Sequence, residues 1–158
     1  MKKEFFDAMD AVMVDNPNVY LIFVGLGYPR TQEFIDKYPN RAINTEASEQ
    51  TALDIAVGLA YNAKIPVVYT ITPFFWRGAE TIRTYINHEK LNVKLVGAGR
   101  DDDYSKDDGF SHYAGDDKSL LDCFKNIFCV WPTVKEQIPD LVEAMVENNK
   151  PWYINLTR

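Results

Sequence analysis

Short hydrophobic runs alternate with helical patterns along the whole chain. The hydrophobic runs are rich in β-branched and aromatic residues and are bounded by Pro, Gly or Asn, as strands usually are. They are VYLIFVGL (19–26), RAIN (41–44), IPVVYTIT (65–72), NVKLVGA (92–98), NIFCVWP (126–132) and PWYINLT (151–157). The helical patterns between them lie at about 2–14, 30–37, 48–63, 75–88, 118–125 and 133–148.

The strand-like runs are continuously hydrophobic, which is typical of parallel strands that are covered on both faces. Strand followed by helix, repeated along the chain, predicts an α/β fold: a doubly wound, mostly parallel sheet of about six strands with helices on both faces. Ligands bind such sheets beyond the carboxyl ends of the strands, so we expect the chemistry in the loops there. Because no internal repeat or linker-like stretch interrupts the pattern, we expect one domain over residues 1–158.

Charge and composition exclude several classes of partner. The net charge of −6 and the pI near 4.9 argue against binding to nucleic acid or to an anionic membrane surface. No apolar run is long enough for a membrane span, and acidic residues interrupt MKKEFFDAMD where a signal peptide would be apolar. We therefore expect a cytoplasmic protein. Cys123 and Cys129 suggest neither a disulfide framework nor a zinc site.

Four segments that follow strand-like runs carry candidate functional residues. They contain Glu46 and Glu49 after RAIN, Phe74, Phe75, Trp76 and Arg77 after VVYTIT, Arg100 and His112 in a long acidic loop after NVKLV, and Arg158 after PWYINLT. Each has a plain structural interpretation. Glu49 can be a first-turn acid that complements a helix dipole, and the aromatic residues can be core. The acidic loop can be a solvated surface loop rather than a cation site, because its aspartate spacing does not fit an EF-hand. His112 can be an ordinary loop histidine.

Five segments taken together resemble a known family. SEQTALDIAVGLA, IPVVYTITPFFWRGAETIR, LNVKLVGAGR with DDGFSH, NIFCVWPT and KPWYINLTR follow in the order seen in the pyrimidine-binding domain of the transketolase family of thiamine diphosphate enzymes. The family also contains deoxyxylulose-phosphate synthases and the β subunits of 2-oxoacid dehydrogenases. The resemblance runs from about residue 10 to the C-terminus.

The resemblance implies roles for the residues after two of the strands. Glu49 matches the glutamate that shares a proton with the aminopyrimidine ring of the cofactor and so activates the thiazolium carbon. Phe74 matches the aromatic residue that packs against the pyrimidine, and Phe75 or Trp76 would widen that wall. Arg77 aligns with an arginine near the same segment.

Other matches concern the substrate. His112 matches the histidine of a DG-x-T-H motif, which faces the substrate and handles protons or hydroxyl groups. Arg158 matches a terminal arginine that binds substrate phosphate in sugar-phosphate members, and Arg100 aligns loosely with a second phosphate contact. These matches imply ketol or acyl transfer on a sugar-phosphate-like substrate.

The chain also departs from the family pattern. Glu46 adds an acid upstream of Glu49, and Gly25 and Gly27 stand where an acid usually follows the first strand. Lys106 replaces the usual glycine before Asp-Asp-Gly, and Ser111 replaces the threonine before the histidine. These differences leave the substrate and full activity open.

The sequence contains no Gly-Asp-Gly, the motif with which the family holds the cofactor diphosphate through magnesium. It also ends where the pyrimidine domain would end, without a further domain. The resemblance therefore implies a split enzyme that is inactive alone, with a separate subunit that carries the Gly-Asp-Gly motif, in a homodimer or heterotetramer. The alternative hypothesis is a non-catalytic binding or regulatory protein that retains the fold.

Overall fold

A computed structural model describes residues 1–25 and 29–158 of the chain. They contain a six-stranded sheet with the order β2-β1-β3-β4-β6-β5, and every pairing in it is parallel. The strands are β1 (Val19–Phe23), β2 (Ala42–Asn44), β3 (Ile65–Ile71), β4 (Lys94–Ala98), β5 (Phe128–Val130) and β6 (Trp152–Leu156). The predicted parallel α/β sheet is confirmed. The end of the first predicted strand and Gly27 lie outside the described residues.

Helices cover both faces of the sheet, as predicted. They are α1 (Lys2–Asp15), α2 (Pro29–Lys37), α3 (Glu49–Tyr61), α4 (Ala79–Thr81), α5 (Ser105–Asp108), α6 (Asp117–Leu121) and α7 (Ile138–Glu147). The helix predicted over 75–88 is irregular, because a 3-10 segment (Thr72–Gly78) precedes α4 and a π-helical segment (Ile82–His88) follows it. None of the helices described is long and apolar enough to cross a membrane.

Side chains along each strand point alternately to the two faces of the sheet, and this divides the core into two layers. In β1, Leu21 and Phe23 face the layer built by α1, α2 and α7, whereas Ile22 faces the layer built by α3, the segment 72–88 and α6. Because both faces of each central strand are buried, a side chain such as Val67 or Val68 contributes about 1.5–3 kcal/mol through burial. This explains why the strands are hydrophobic at nearly every position.

Lys94 is an exception within this hydrophobic core. It is the first residue of β4, is fully buried, and donates two hydrogen bonds of 2.6 Å to the backbone oxygens of Asn148 and Lys150. Its ammonium group therefore satisfies carbonyls that follow α7. Burial lowers the pKa of Lys94 to about 7.

The sheet has a topological switch point between β1 and β3. The chain leaves β1, forms α2 and β2 on one side, and then returns through α3 to place β3 on the other side of β1. In open α/β sheets, ligands bind at such a point, beyond the carboxyl ends of the strands. All four candidate segments lie at this edge, because they follow β2, β3, β4 and β6 of the parallel sheet.

Candidate functional site

Glu49 is the first residue of α3, and its side chain is buried although it is charged. Both of its carboxylate oxygens accept hydrogen bonds from Nη1 of Arg77, at 3.0 and 3.1 Å. Ser48, the N-cap residue, makes no side-chain capping bond and instead donates its hydroxyl to Thr51. The position of Glu49 suits a first-turn acid, but its ion pair with a residue from another loop is a tertiary feature.

The segment that carries Arg77 approaches α3 very closely. A Cβ atom on Gly78 would lie 2.2 Å from Cδ1 of Leu53 in α3, so a larger residue would force the buried Leu53 side chain to shift. Gln50 of α3 donates hydrogen bonds to Thr81 and Asp54, and the Thr81 hydroxyl donates to Asp54. These contacts hold α4, which follows the 3-10 segment, against α3.

Phe74 and Phe75 point into different surroundings. Phe74 is half-buried, and the guanidinium carbon of Arg77 lies 4.8 Å from its ring centroid. Phe75 is 1% exposed and packs in the core against Tyr153, with ring centroids 6.3 Å apart. The prediction that Phe75 contacts a cofactor does not fit this placement, because a core side chain offers no surface to a ligand. Trp76 is half-buried and packs against the same core layer.

His112 meets this cluster from the long loop after β4. It lies in a short 3-10 turn (Phe110–His112), and its ring centroid is 5.0 Å from that of Phe74 at an interplanar angle of 68°. Its Nδ1 atom and the hydroxyl of Ser111 are 3.0 Å apart. The structure thus brings four of the predicted residues into one contiguous cluster: Glu49, Arg77, Phe74 and His112.

Arg158 and Arg100 are both held by the acidic loop. The backbone amides of Arg158 and Arg100 donate to the Asp103 carboxylate, at 2.8 and 3.0 Å. The exposed Arg158 guanidinium donates to Asp107 at 3.0 Å and lies over the Tyr104 ring. Arg100 donates instead to the backbone oxygen of Asn155 at 2.5 Å. Arg158 thus has an exposed charge, whereas Arg100 anchors β6.

Asp117 is a buried acid whose importance the sequence did not reveal. Its Oδ2 atom accepts hydrogen bonds from the Trp131 indole at 2.8 Å, the Tyr153 hydroxyl at 2.8 Å and the Asn155 amide at 2.6 Å. Burial, and then the charge of Asp117, raise the pKa of Tyr153 well above its ordinary value. The interpretation of the acidic loop as wholly solvated is wrong at this position. Asp117 instead fixes the end of the loop that carries His112.

The loop after β2 is also defined by specific contacts. Asn44 accepts hydrogen bonds from the amides of Gly25 and Glu46 at 3.3 and 3.0 Å, and it donates to the Glu46 carboxylate at 3.1 Å. Gly25 has a φ of +46°, and a Cβ there would lie 2.8 Å from the Glu46 carbonyl carbon. Glycine at this position therefore allows the ends of β1 and β2 to approach each other.

The chemical groups of the cluster suit an organic ligand better than a metal ion. Among residues 1–25 and 29–158, no group of three or more His, Cys, Asp or Glu side chains is arranged to hold a metal ion. The cluster around Glu49 offers a carboxylate, a guanidinium, an aromatic face and an imidazole. Such groups suit a planar nitrogen heterocycle.

Comparison with known proteins gives concordant matches. Residues 1–158 match the family model described as "Transketolase, pyrimidine binding domain". A putative transketolase C-terminal section from Methanocaldococcus jannaschii is 28% identical over 133 residues, which cover 84% of this chain and 42% of that protein. One subunit of the apulose-4-phosphate transketolase of Actinobacillus succinogenes is 27% identical over 124 residues, which cover 78% of this chain and 40% of that protein.

A solved structure matches the fold over nearly the whole chain. It is described as "Split gene transketolase, inactive beta4 tetramer" and superimposes with a TM-score of 0.86 and 28% identity. The match covers 99% of this chain and 51% of that one. The chain therefore spans less than half the length of the two curated relatives above and about half that of the solved protein.

Proposed function

Because the chain belongs to the family of transketolase pyrimidine-binding domains, we propose that it provides the pyrimidine half of a thiamine diphosphate-dependent, transketolase-like active site. The observation that carries this proposal is the buried carboxylate of Glu49 in one cluster with the ring of Phe74. Thiamine diphosphate, when bound, supplies the electron sink for the breaking and forming of carbon–carbon bonds.

The residues of the cluster fit the aminopyrimidine in size and chemistry. Phe74 is half-buried, so its ring combines fixed packing with partial exposure, and a flat heterocycle can stack on it. Glu49 holds a proton at a carboxyl oxygen and donates it to a ring nitrogen. A carboxyl group is required because glutamine keeps the shape but cannot pass a proton on. Arg77 contacts both Glu49 and Phe74.

His112 acts on the substrate side of the same site. Its contact with Phe74 places the imidazole at the border of the aromatic face. The Ser111 hydroxyl at Nδ1 fixes the ring orientation, so Nε2 is the atom that holds or accepts a proton, or bonds a substrate hydroxyl.

The diphosphate half of the site is proposed to come from a separate chain. Neither a Gly-Asp-Gly sequence nor a described metal-ligand cluster supplies a place for magnesium here. Relatives described as a transketolase subunit, a C-terminal section and a split-gene transketolase support this division. The chain then assembles as a homodimer or as part of a heterotetramer, and on its own it binds thiamine diphosphate weakly and is inactive.

The proposed substrate is a phosphorylated sugar, with ketol or acyl transfer as the reaction. Support comes from Arg158, whose guanidinium is exposed and can exchange Asp107 for a phosphate group. A relative described as part of an apulose-4-phosphate transketolase points in the same direction. Arg100 is not needed for this role, since it is bound to the backbone of β6.

The decisive experiment compares Glu49→Gln with wild type in the complex purified through a tag on this chain. We expect exchange of the thiazolium proton in heavy water, followed by NMR, to slow by about 10²- to 10⁴-fold while assembly is retained. Glu46→Gln is the matched control, since Glu46 is exposed and bonds to Asn44. Equal exchange rates for Glu49→Gln and wild type would favour the alternative, a non-catalytic protein that retains the fold.

A further inference from the structure

Arg77 covers both of the groups that are proposed to receive the pyrimidine. Its Nη1 atom occupies the two oxygens of Glu49, and its guanidinium lies over the ring of Phe74. The side chains of the ion pair differ sharply in exposure, at 56% for Arg77 and 6% for Glu49. The arginine therefore lies on the solvent side of the carboxylate.

A bound pyrimidine would compete with Arg77 for these groups. A ring that stacked on the same face of Phe74 and bonded to Glu49 would meet the two groups that the Arg77 guanidinium contacts. The competition extends to hydrogen bonds, because Nη1 of Arg77 already donates to both carboxylate oxygens of Glu49.

We propose that Arg77 is a displaceable cover that closes the pyrimidine site in the isolated chain. This inference rests on the proposed function. Glu49 is buried, so it cannot lose Arg77 without gaining another polar partner. The ring nitrogen of the arriving pyrimidine is that partner, and displacement of Arg77 is thereby coupled to cofactor entry. The half-exposed guanidinium moves into solvent, where its charge is hydrated at little cost.

The cover role differs from the role that the sequence resemblance implies. An arginine that holds the cofactor adds affinity, so its removal weakens binding. A cover competes with the cofactor, so its removal raises the affinity for the cofactor. The size of the increase depends on the fraction of molecules in which the cover had closed the site. The sign of the change in affinity therefore separates the two roles.

The chain offers a matched control in Arg83 and Glu80. This ion pair lies three residues apart on the helical segment that follows Arg77, and both of its side chains are exposed, at 63% and 71%. Loss of Arg83 removes the same positive charge from the same region without uncovering a buried carboxylate.

The test measures binding of the free aminopyrimidine half of the cofactor, 4-amino-5-hydroxymethyl-2-methylpyrimidine, to the full chain by calorimetry. We expect Arg77→Gln to bind it at least about fivefold more tightly than wild type, and Arg83→Gln to match wild type. Arg77→Lys, which keeps the charge but loses the planar fork, should fall between them. Thermal melts establish that each variant is folded.

Equal or weaker binding by folded Arg77→Gln overturns the cover, and so does an absence of binding to both Arg77→Gln and wild type. A gain that Arg83→Gln shares also overturns it, because net charge would then be the cause. Failure of the proposed function is visible separately, as unchanged proton exchange for Glu49→Gln in the partnered complex.

Discussion

The rings of Phe74 and His112 meet edge to face, with their centroids 5.0 Å apart. Phe74 follows β3, whereas His112 belongs to the long loop after β4. The contact therefore joins two loops that are distant in sequence at the carboxyl edge of the sheet. It sets the imidazole beside the aromatic face and gives the proposed cofactor and substrate sides a shared boundary.

Replacing Phe74 should weaken cofactor binding and release His112. For Phe74→Ala we expect the affinity of the partnered complex for thiamine diphosphate to fall about three- to tenfold, the loss expected for one aromatic contact. Calorimetry measures this, and NMR of the His112 ring in the isolated chain reports the lost contact. Phe110→Ala is the control, because that ring is 83% exposed and stacks on Tyr113. An equal loss in both variants would contradict a specific role for Phe74.

Asp117 should contribute much of the stability of the region around β6. Asp117→Ala leaves the buried donors of Trp131, Tyr153 and Asn155 without their acceptor, so we expect a loss of about 3 kcal/mol or more in the free energy of unfolding. Denaturant titration measures it. Asp122→Ala, which removes an exposed acid at the end of the same helix, should stay within about 0.5 kcal/mol of wild type.

The buried Lys94 predicts a rise in stability with pH. Its pKa is about 7 in the folded chain and about 10.4 in an unfolded chain. Between these values the unfolded state binds more protons, so the free energy of unfolding increases with pH, by up to about 2 kcal/mol between pH 7 and pH 9. Urea titrations at both pH values measure this difference.

Lys94→Met provides the comparison for that pH dependence. It removes the titrating group, so its free energy of unfolding should change less between pH 7 and pH 9. The unpaired oxygens of Asn148 and Lys150 lower its stability equally at both pH values, and that loss cancels in the comparison. An identical pH dependence in Lys94→Met and wild type would show that other groups are responsible.

The two cysteines should differ in reactivity. Burial, and then the charges of Asp117 and Asp122, raise the pKa of Cys129 to about 11, whereas Cys123 is exposed. Since the thiolate is the reactive form, a disulfide reagent at pH 8 should modify Cys123 rapidly and Cys129 slowly. The reaction is followed by the absorbance of the thiol that the reagent releases, and Cys123→Ser should lack the fast phase of this release. A fast phase that persists in this variant would place the reactive thiol at Cys129.

The sequence predicts the sheet well because the central strands are buried on both faces. Val67 and Val68 are both buried, and a continuous hydrophobic run is the direct result. The sequence also predicts that the candidate residues lie at one edge of the sheet, since the carboxyl ends of β2, β3 and β4 precede Glu49, Phe74 and His112. Both predictions depend on local pattern and on the general geometry of parallel sheets.

What the sequence does not predict depends on tertiary contacts. Asp117 has acidic neighbours and resembles a solvated residue until Trp131, Tyr153 and Asn155 surround it. One indication was present, because Asn155 is polar within a strand-like run and needs a partner when it is buried. Phe74 and Phe75 are identical and adjacent, so only the direction of the 3-10 segment decides which one enters the core.

The strand order has a consequence for the synthesis of the chain. In the described sheet, β5 is an edge strand whose partner is β6, and β6 lies between it and β4. A ribosome makes Phe128–Val130 before Trp152–Leu156, so β5 emerges from the exit tunnel with no strand to pair with. Until β6 is made, the Phe128 side chain and the backbone edge of β5 remain unpaired, and an unpaired strand edge is a place where another chain can pair.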